Sequence, residues 1–150
     1  MNDTRSVRMD DDERAAFLGT GGTGVVSFAT EEGEPPYSLP VSYGYDADSD
    51  GLYLRLAFDT ESGKEAVVTA NRPLSLVVHR QEDAGWRSVV VTGRLEEATE
   101  AAIDSDVVQA MRRVHIPLVD VFDRHPRELT FRFFRVDVDE VSGRKEAKSA

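Results

Sequence analysis

The sequence predicts a mainly β fold with α additions: an antiparallel six-stranded barrel, closed or partly closed. Three observations point there. Six stretches carry the β-branched and aromatic content, or the two-residue alternation, of strands. The helical stretches are short and inserted between strands rather than alternating with them, which disfavours a doubly wound parallel sheet. At 150 residues the chain has the size of one domain, residues 1–150, and can bury a core without disulfide staples.

Asp10 and Glu13 form a capping-box pattern ahead of Ala15, Ala16, Phe17 and Leu18, and glycines at 19, 21 and 22 end the run, so a short N-terminal helix is expected. Residues 1–9 before it are expected to be flexible. Val25, Val26 and Phe28 mark a first strand over Thr23–Thr30, and Glu31, Glu32 and Gly33 turn the chain into the next. Along that second strand, from about Pro36, residues Tyr37, Leu39, Val41, Tyr43 and Tyr45 share one face, while Ser38, Pro40, Ser42 and Gly44 share the other. One face is large and the other nearly bare. Asp50 and Gly51 turn into a third strand, Leu52–Phe58, whose leucines at 52, 54 and 56 face inward with Tyr53 and Arg55 opposite. Helical composition over Ser62–Asn71 stops at Arg72 and Pro73. A hairpin follows, Leu74–Arg80 and Trp86–Leu95, joined through Glu82, Asp83, Ala84 and Gly85. Ile103, Val107, Ala110, Met111 and Val114 repeat at helical spacing over Thr99–Val114, and Pro117–Phe122 adds a turn of helix. The last strand runs from about Glu128 to Val138, and the polar tail 142–150 is expected to be mobile.

The chain holds 28 acidic and 18 basic residues, a formal net charge of -10, and its lysines are only Lys64, Lys145 and Lys148. Nucleic acids and anionic membranes require a basic face, so both are disfavoured as partners. No cysteine is present, which excludes disulfides, thiolate zinc sites and cysteine nucleophiles. The first twenty residues are charged and carry no apolar run, and no segment has the length to cross a bilayer, so a cytoplasmic protein is expected. Acidity with few lysines resembles halophilic archaeal proteins; an ordinary acidic protein from a GC-rich genome would share it.

Some pattern matches carry no chemistry. Gly19, Gly21 and Gly24 fit the dinucleotide fingerprint in spacing, but that fingerprint follows a strand and opens a helix, the reverse of the order here. Ser62, Gly63 and Lys64 echo the end of a P-loop, yet Phe58 stands where its first glycine belongs. Asn2, Asp3 and Thr4 form a glycosylation triplet with no secretion signal beside it. None of His79, His115 and His125 has the helical spacing of a zinc pair, and no nucleophile elbow accompanies them. No metal site and no catalytic side chain is expected.

What the residues do support is an anion site beside a small-residue strand. Arg55 offers a planar fork of donors, Lys64 a point charge, and a helix start near Gly63 free backbone N–H groups. Taken singly, Arg55 reads equally as a surface arginine and Lys64 as a solvated helix residue; their conjunction points to a ligand. Trp86 alone reads as a core or dimer-interface aromatic, the tyrosine stripe as core, and Arg144 with Lys145 as a solvated tail.

Four runs, PYSLPVSYGYD, SGKEAVVTANRPLSLVV, WRSVVVTGRLEE and VSGRKEA, together resemble the FMN-binding split-barrel proteins related to pyridoxamine 5'-phosphate oxidase, in particular the branch with nitroimidazole-resistance and archaeal flavin-nucleotide-binding proteins. The resemblance spans Gly24 to Ala147. It implies a split β-barrel, an FMN cofactor, a homodimer with flavin at the subunit interface, and a flavin-dependent oxidoreductase acting on a small molecule. It sets the ring edge against Pro40, Val41 and Ser42 and the phosphate at Arg55, Ser62, Gly63 and Lys64. It puts Trp86 and Ser88 on the strand that approaches the flavin, and makes Arg144 and Lys145 contacts from the tail. His79 is set near the flavin by analogy with a histidine of some relatives. A flavin-binding or redox-sensing module without turnover stays open, as does a split barrel holding haem or a deazaflavin. Oxidation of pyridoxamine phosphate itself is disfavoured, because no basic cluster for a second phosphorylated substrate is evident.

Overall fold

The computed structural model describes residues 4–58, 71–97 and 130–148. Within them the chain forms β1 (Thr4–Arg8), α1 (Asp11–Leu18), β2 (Gly21–Phe28), β3 (Tyr37–Asp46), β4 (Gly51–Phe58), β5 (Leu74–Glu82), β6 (Gly85–Glu97) and β7 (Thr130–Lys148). The sheet order is β1-β7-β4-β3-β2-β5-β6 with every pairing antiparallel, and β6 returns to β7. Strands β2 to β7 therefore close the six-stranded barrel that the sequence predicts, with β1 as an extra strand.

The long strand β7 makes the closure possible, because it has three partners. On one edge it pairs with β6 from Phe134 to Lys145; on the other, Thr130–Arg135 pair with β4 and Arg144–Lys148 with β1. Between β4 and β1 that second edge has no strand partner among the described residues, and the start of α1 lies over it. The Met9 amide donates to the Gly143 carbonyl at 2.9 Å, and a side chain on Gly143 would collide with Met9 and Arg14.

At Gly93 the pairing jumps from Thr92 with Glu140 to Gly93 with Val138, which leaves Asp139 as a bulge. A Cβ on Gly93 would stand 2.1 Å from the Asp137 carbonyl oxygen, so only glycine allows this approach. The extra residue reverses which parity of β7 faces the core. Phe134 and Val136 point inward before it, Val141 and Gly143 after it.

Core and caps follow the sequence closely. Val26, Tyr43, Leu54, Leu76 and Val89 are completely buried, each aliphatic side chain contributing about 1.5–3 kcal/mol relative to exposure. The capping box forms as expected: Glu13 N donates to Asp10 Oδ1 at 2.8 Å and Asp10 N to Glu13 Oε1 at 3.4 Å. Gly19 ends the helix, while Gly21 and Gly22 already belong to β2. At the β5–β6 turn, Glu82 pairs with Gly85, whose φ of 118° only glycine adopts readily.

The termini depart from the sequence reading. Residues 4–8 form β1, and the last strand ends at Lys148 rather than Val138. The reason is physical: the bulge at Asp139 breaks the alternation, and a polar edge pair held by its backbone ladder has no hydrophobic period to read. The helices expected over Ser62–Asn71, Thr99–Val114 and Pro117–Phe122 lie outside the described residues, apart from Asn71, which has φ 55°. No described helix is long and apolar enough to cross a membrane.

Candidate functional site

The bare face of β3 points away from the barrel core, since Val41, Tyr43 and Tyr45 alternate into it. Pro40 is exposed there, whereas Ser42 is only 5% exposed and Gly44 is buried. Ser42 is in register with Arg55 on β4, and Arg55 with Phe133 on β7. One row thus carries a buried serine, a half-buried arginine and a partly exposed phenylalanine. In the next row Tyr53 stands opposite Gly44, and it is buried although it faces outward, its ring lying against Gly51.

Of the residues the sequence reading gave to a cofactor here, Ser42 and Arg55 are register partners and Pro40 lies two residues along the same face. Val41 turns its side chain into the core, so only its backbone can reach a ligand. Ser62, Gly63 and Lys64 lie outside the described residues.

Trp86, Ser88, Arg144 and Lys145 line a second place, a cleft of about 260 Å³ shared with Ser6, His79, Arg87 and Glu146. Register assembles it: His79 pairs with Ser88, Ser88 with Arg144, and Arg144 with Arg8, one row across β5, β6, β7 and β1. Trp86 is 48% exposed, with its ring centroid 6.1 Å from that of His79. Lys145 sits at the opposite parity of β7, and its Nζ donates to Glu13 Oε2 on α1. That hydrogen bond holds the Glu13 carboxyl below its usual range. Arg87 Nε is 3.5 Å from Glu82 Oε2, so Arg144 is the cation of this cleft with no carboxylate partner among the described residues.

Four basic residues, Arg8, Arg87, Arg144 and Lys145, come together near this cleft from β1, β6 and β7, with Arg87 paired to Glu82 and Lys145 to Glu13. Sequence reasoning missed Ser6, Arg8 and Glu146 because it read both termini as loose, with the strand-like run from Arg5 to Met9 the signal available; Arg87 lay on a strand it did predict.

The two places are well separated on one chain. The Arg55 row crosses β7 at Phe133 and the cleft row crosses it at Arg144, a path of roughly 35 Å along the strand. An outward apolar row joins their flanks: Pro40 pairs with Val25, Val25 with Val77, and Val77 with Val90. Val25 is 40% and Val90 36% exposed. This row begins two residues from Ser42 on β3 and ends two residues from Ser88 on β6.

A further cavity of about 300 Å³ opens beside α1, lined by Asp11, Asp12, Tyr45, Asp50, Leu52 and Val138 among others. Tyr45 Oη donates to Asp50 Oδ1 at 2.5 Å, and burial with that carboxylate pushes the phenol above its usual range. It is a fixed donor rather than a base. No group of three or more metal-ligating side chains occurs among the described residues.

Comparison with known proteins adds to this geometry. A family model described as pyridoxamine 5'-phosphate oxidase matches residues 10–145. A FAD-binding protein from Mesorhizobium loti is 26% identical, with 98% of this chain and 99% of that one covered at a TM-score of 0.65. A candidate 5-nitroimidazole antibiotic resistance protein from Bacteroides thetaiotaomicron shares the fold at 18% identity, with 97% and 90% covered and a TM-score of 0.63. A FAD-binding protein from Mycobacterium smegmatis does so at 10% identity, with 95% and 99% covered and a TM-score of 0.65. A search of curated proteins found no match.

Proposed function

The chain belongs to the pyridoxamine 5'-phosphate oxidase family, and from that premise we propose that it binds FMN and acts as a flavin-dependent oxidoreductase on a small molecule. The observation that carries this reading is the registered pair Ser42 and Arg55, a buried serine beside a half-buried arginine on an outward barrel face. The donor set fits a flat phosphorylated ligand. Arg55 offers its fork to the phosphate, with Ser62, Gly63 and Lys64 completing the contacts. Pro40, the Val41 backbone and Ser42 meet the ring edge, where small side chains allow close approach. The flavin-binding relative from Mesorhizobium loti supports the cofactor class. When bound, the flavin supplies the redox chemistry through its N5, and the protein supplies position and charge.

The working unit is a homodimer. A row of Val25, Pro40, Val77 and Val90 facing outward is the kind of surface a second copy covers. Because a two-fold interface is self-complementary, the Ser88 end of the row on one subunit can meet the Ser42 end on the other. Trp86, Ser88 and Arg144 would then approach the flavin held by Arg55 of the opposite subunit. Lys145 supports that wall from behind through Glu13.

The test begins with the purified protein, which should be yellow and release FMN identified by mass spectrometry; FAD, haem or a deazaflavin would each be distinguished by mass. Steady-state reduction by NADH or NADPH separates an oxidoreductase from a binding module. Colourless protein that ignores added FMN rejects the reading.

A further inference from the structure

We propose that Arg8 and Arg144 form an oxyanion site that fastens the first strand, β1, to the end of the last, β7. The two arginines are direct partners in the β1–β7 ladder and both are exposed. Their Cβ atoms therefore stand about 5 Å apart on one face, where like charges weaken a strand pair. In a chain with 28 acidic residues, neither guanidinium has a carboxylate within ion-pair distance among the described residues.

Arg144 lines the cleft with Trp86 and His79, while Arg8 lines the neighbouring one with Val90, Thr92 and Ser142. Each cleft also holds one carboxylate, Glu146 in the first and Glu140 in the second, and neither is paired with these arginines. Ser88, in register with Arg144, and Ser6 on β1 add hydroxyl donors to the same face.

Among its described side chains, strand β1 has little else to hold it. Val7 is 36% exposed, so the strand is retained mainly by its backbone ladder and by Met9 at its end. A phosphate group set between the two forks accepts charge-assisted hydrogen bonds from both and turns the repulsion into a bridge. Anion binding and β1 docking then favour each other. The site goes beyond the flavin reading and requires no flavin.

Hydrogen exchange of the full chain tests this, with inorganic phosphate titrated at constant ionic strength set by sodium chloride. Phosphate should slow exchange of residues 4–8 by about tenfold, with chloride ineffective. Arg8→Gln and Arg144→Gln should each slow exchange without phosphate, because the repulsion is gone, and abolish the phosphate response. The proposal is overturned if chloride acts equally, if either variant keeps the response, or if either loosens β1. It also falls if FMN alone gives the full effect and phosphate adds nothing, since the anion is then the cofactor's own. Colourless protein that still responds to phosphate rejects the flavin reading and supports this one.

Discussion

Lys145 donates to the same Glu13 that closes the capping box of α1, so one carboxyl joins the start of the helix to the last strand across 132 residues of sequence. The contact lowers the folded carboxyl below 4.5, its ordinary value, to which it returns on unfolding. Its contribution to stability is therefore complete above that ordinary value and is lost as pH falls through the lower, folded one. Lys145→Met should melt earlier than the parent at neutral pH and converge with it in the acid range below 4.5. A gap in thermal midpoint that stays constant through the acid limb would show that Lys145 acts by packing alone.

The other end of α1 is closed by groups from the barrel. Tyr43 Oη donates to the Leu18 carbonyl at 2.9 Å, and Arg80 lies 4.0 Å over the Phe17 ring while donating to the Phe17 carbonyl. These bonds satisfy acceptors that the helix leaves open. Tyr43→Phe removes one of them in the core and should cost about 1–2 kcal/mol in urea unfolding. An unchanged urea midpoint would mean that another donor reaches the Leu18 carbonyl.

Gly93 fixes the bulge that reverses the parity of β7. With a Cβ 2.1 Å from the Asp137 carbonyl oxygen, Gly93→Ala has to displace backbone rather than a side chain. The expected loss is about 2–3 kcal/mol, read from chemical denaturation, with the β6–β7 amides from Thr92 onward exchanging faster. A variant as stable as the parent would mean that the strands can re-register past Asp139.

The row from Pro40 to Val90 gives a test of the dimer. Val25→Glu places a carboxylate where an isologous interface would put it close to its own symmetry mate's surroundings. Light scattering should change from dimer to monomer, and the flavin should be lost with it. A monomeric parent protein that retains flavin would remove the two-subunit site altogether.

How far the sequence could be read depended on whether burial left a period in it. Tyr37 to Tyr45 and Leu52 to Leu56 alternate, so both strands and their inward faces were legible, as was the capping box at Asp10 and Glu13. Arg55 and Ser42 could be named singly, but their direct register depends on how β3 and β4 pair. Arg144 could be named as a tail contact, but Arg8 and its pairing with Arg144 were beyond reach. The two become neighbours only because β7 runs on past its bulge and takes the first strand as a partner. Both segments are polar and held by backbone bonds that leave no hydrophobic trace. Tyr53 shows the converse, an outward residue that is buried, with its ring lying against Gly51.

Arg55 offers the sharpest test of which ligand the outer face of β3 and β4 takes. If its guanidinium meets a phosphate, Arg55→Gln should weaken FMN by about 10- to 100-fold, the range expected for losing a hydrogen bond to a charged group. Riboflavin carries the same ring without the phosphate, so its affinity should be nearly unchanged by the substitution. Comparing both ligands by fluorescence titration separates a phosphate contact from a structural role, because disrupting the Ser42 row would weaken both alike. Equal losses for FMN and riboflavin would move the phosphate away from Arg55. A loss confined to FMN would fix the phosphate end of the ligand at β4 and direct its ring along β3 toward Pro40.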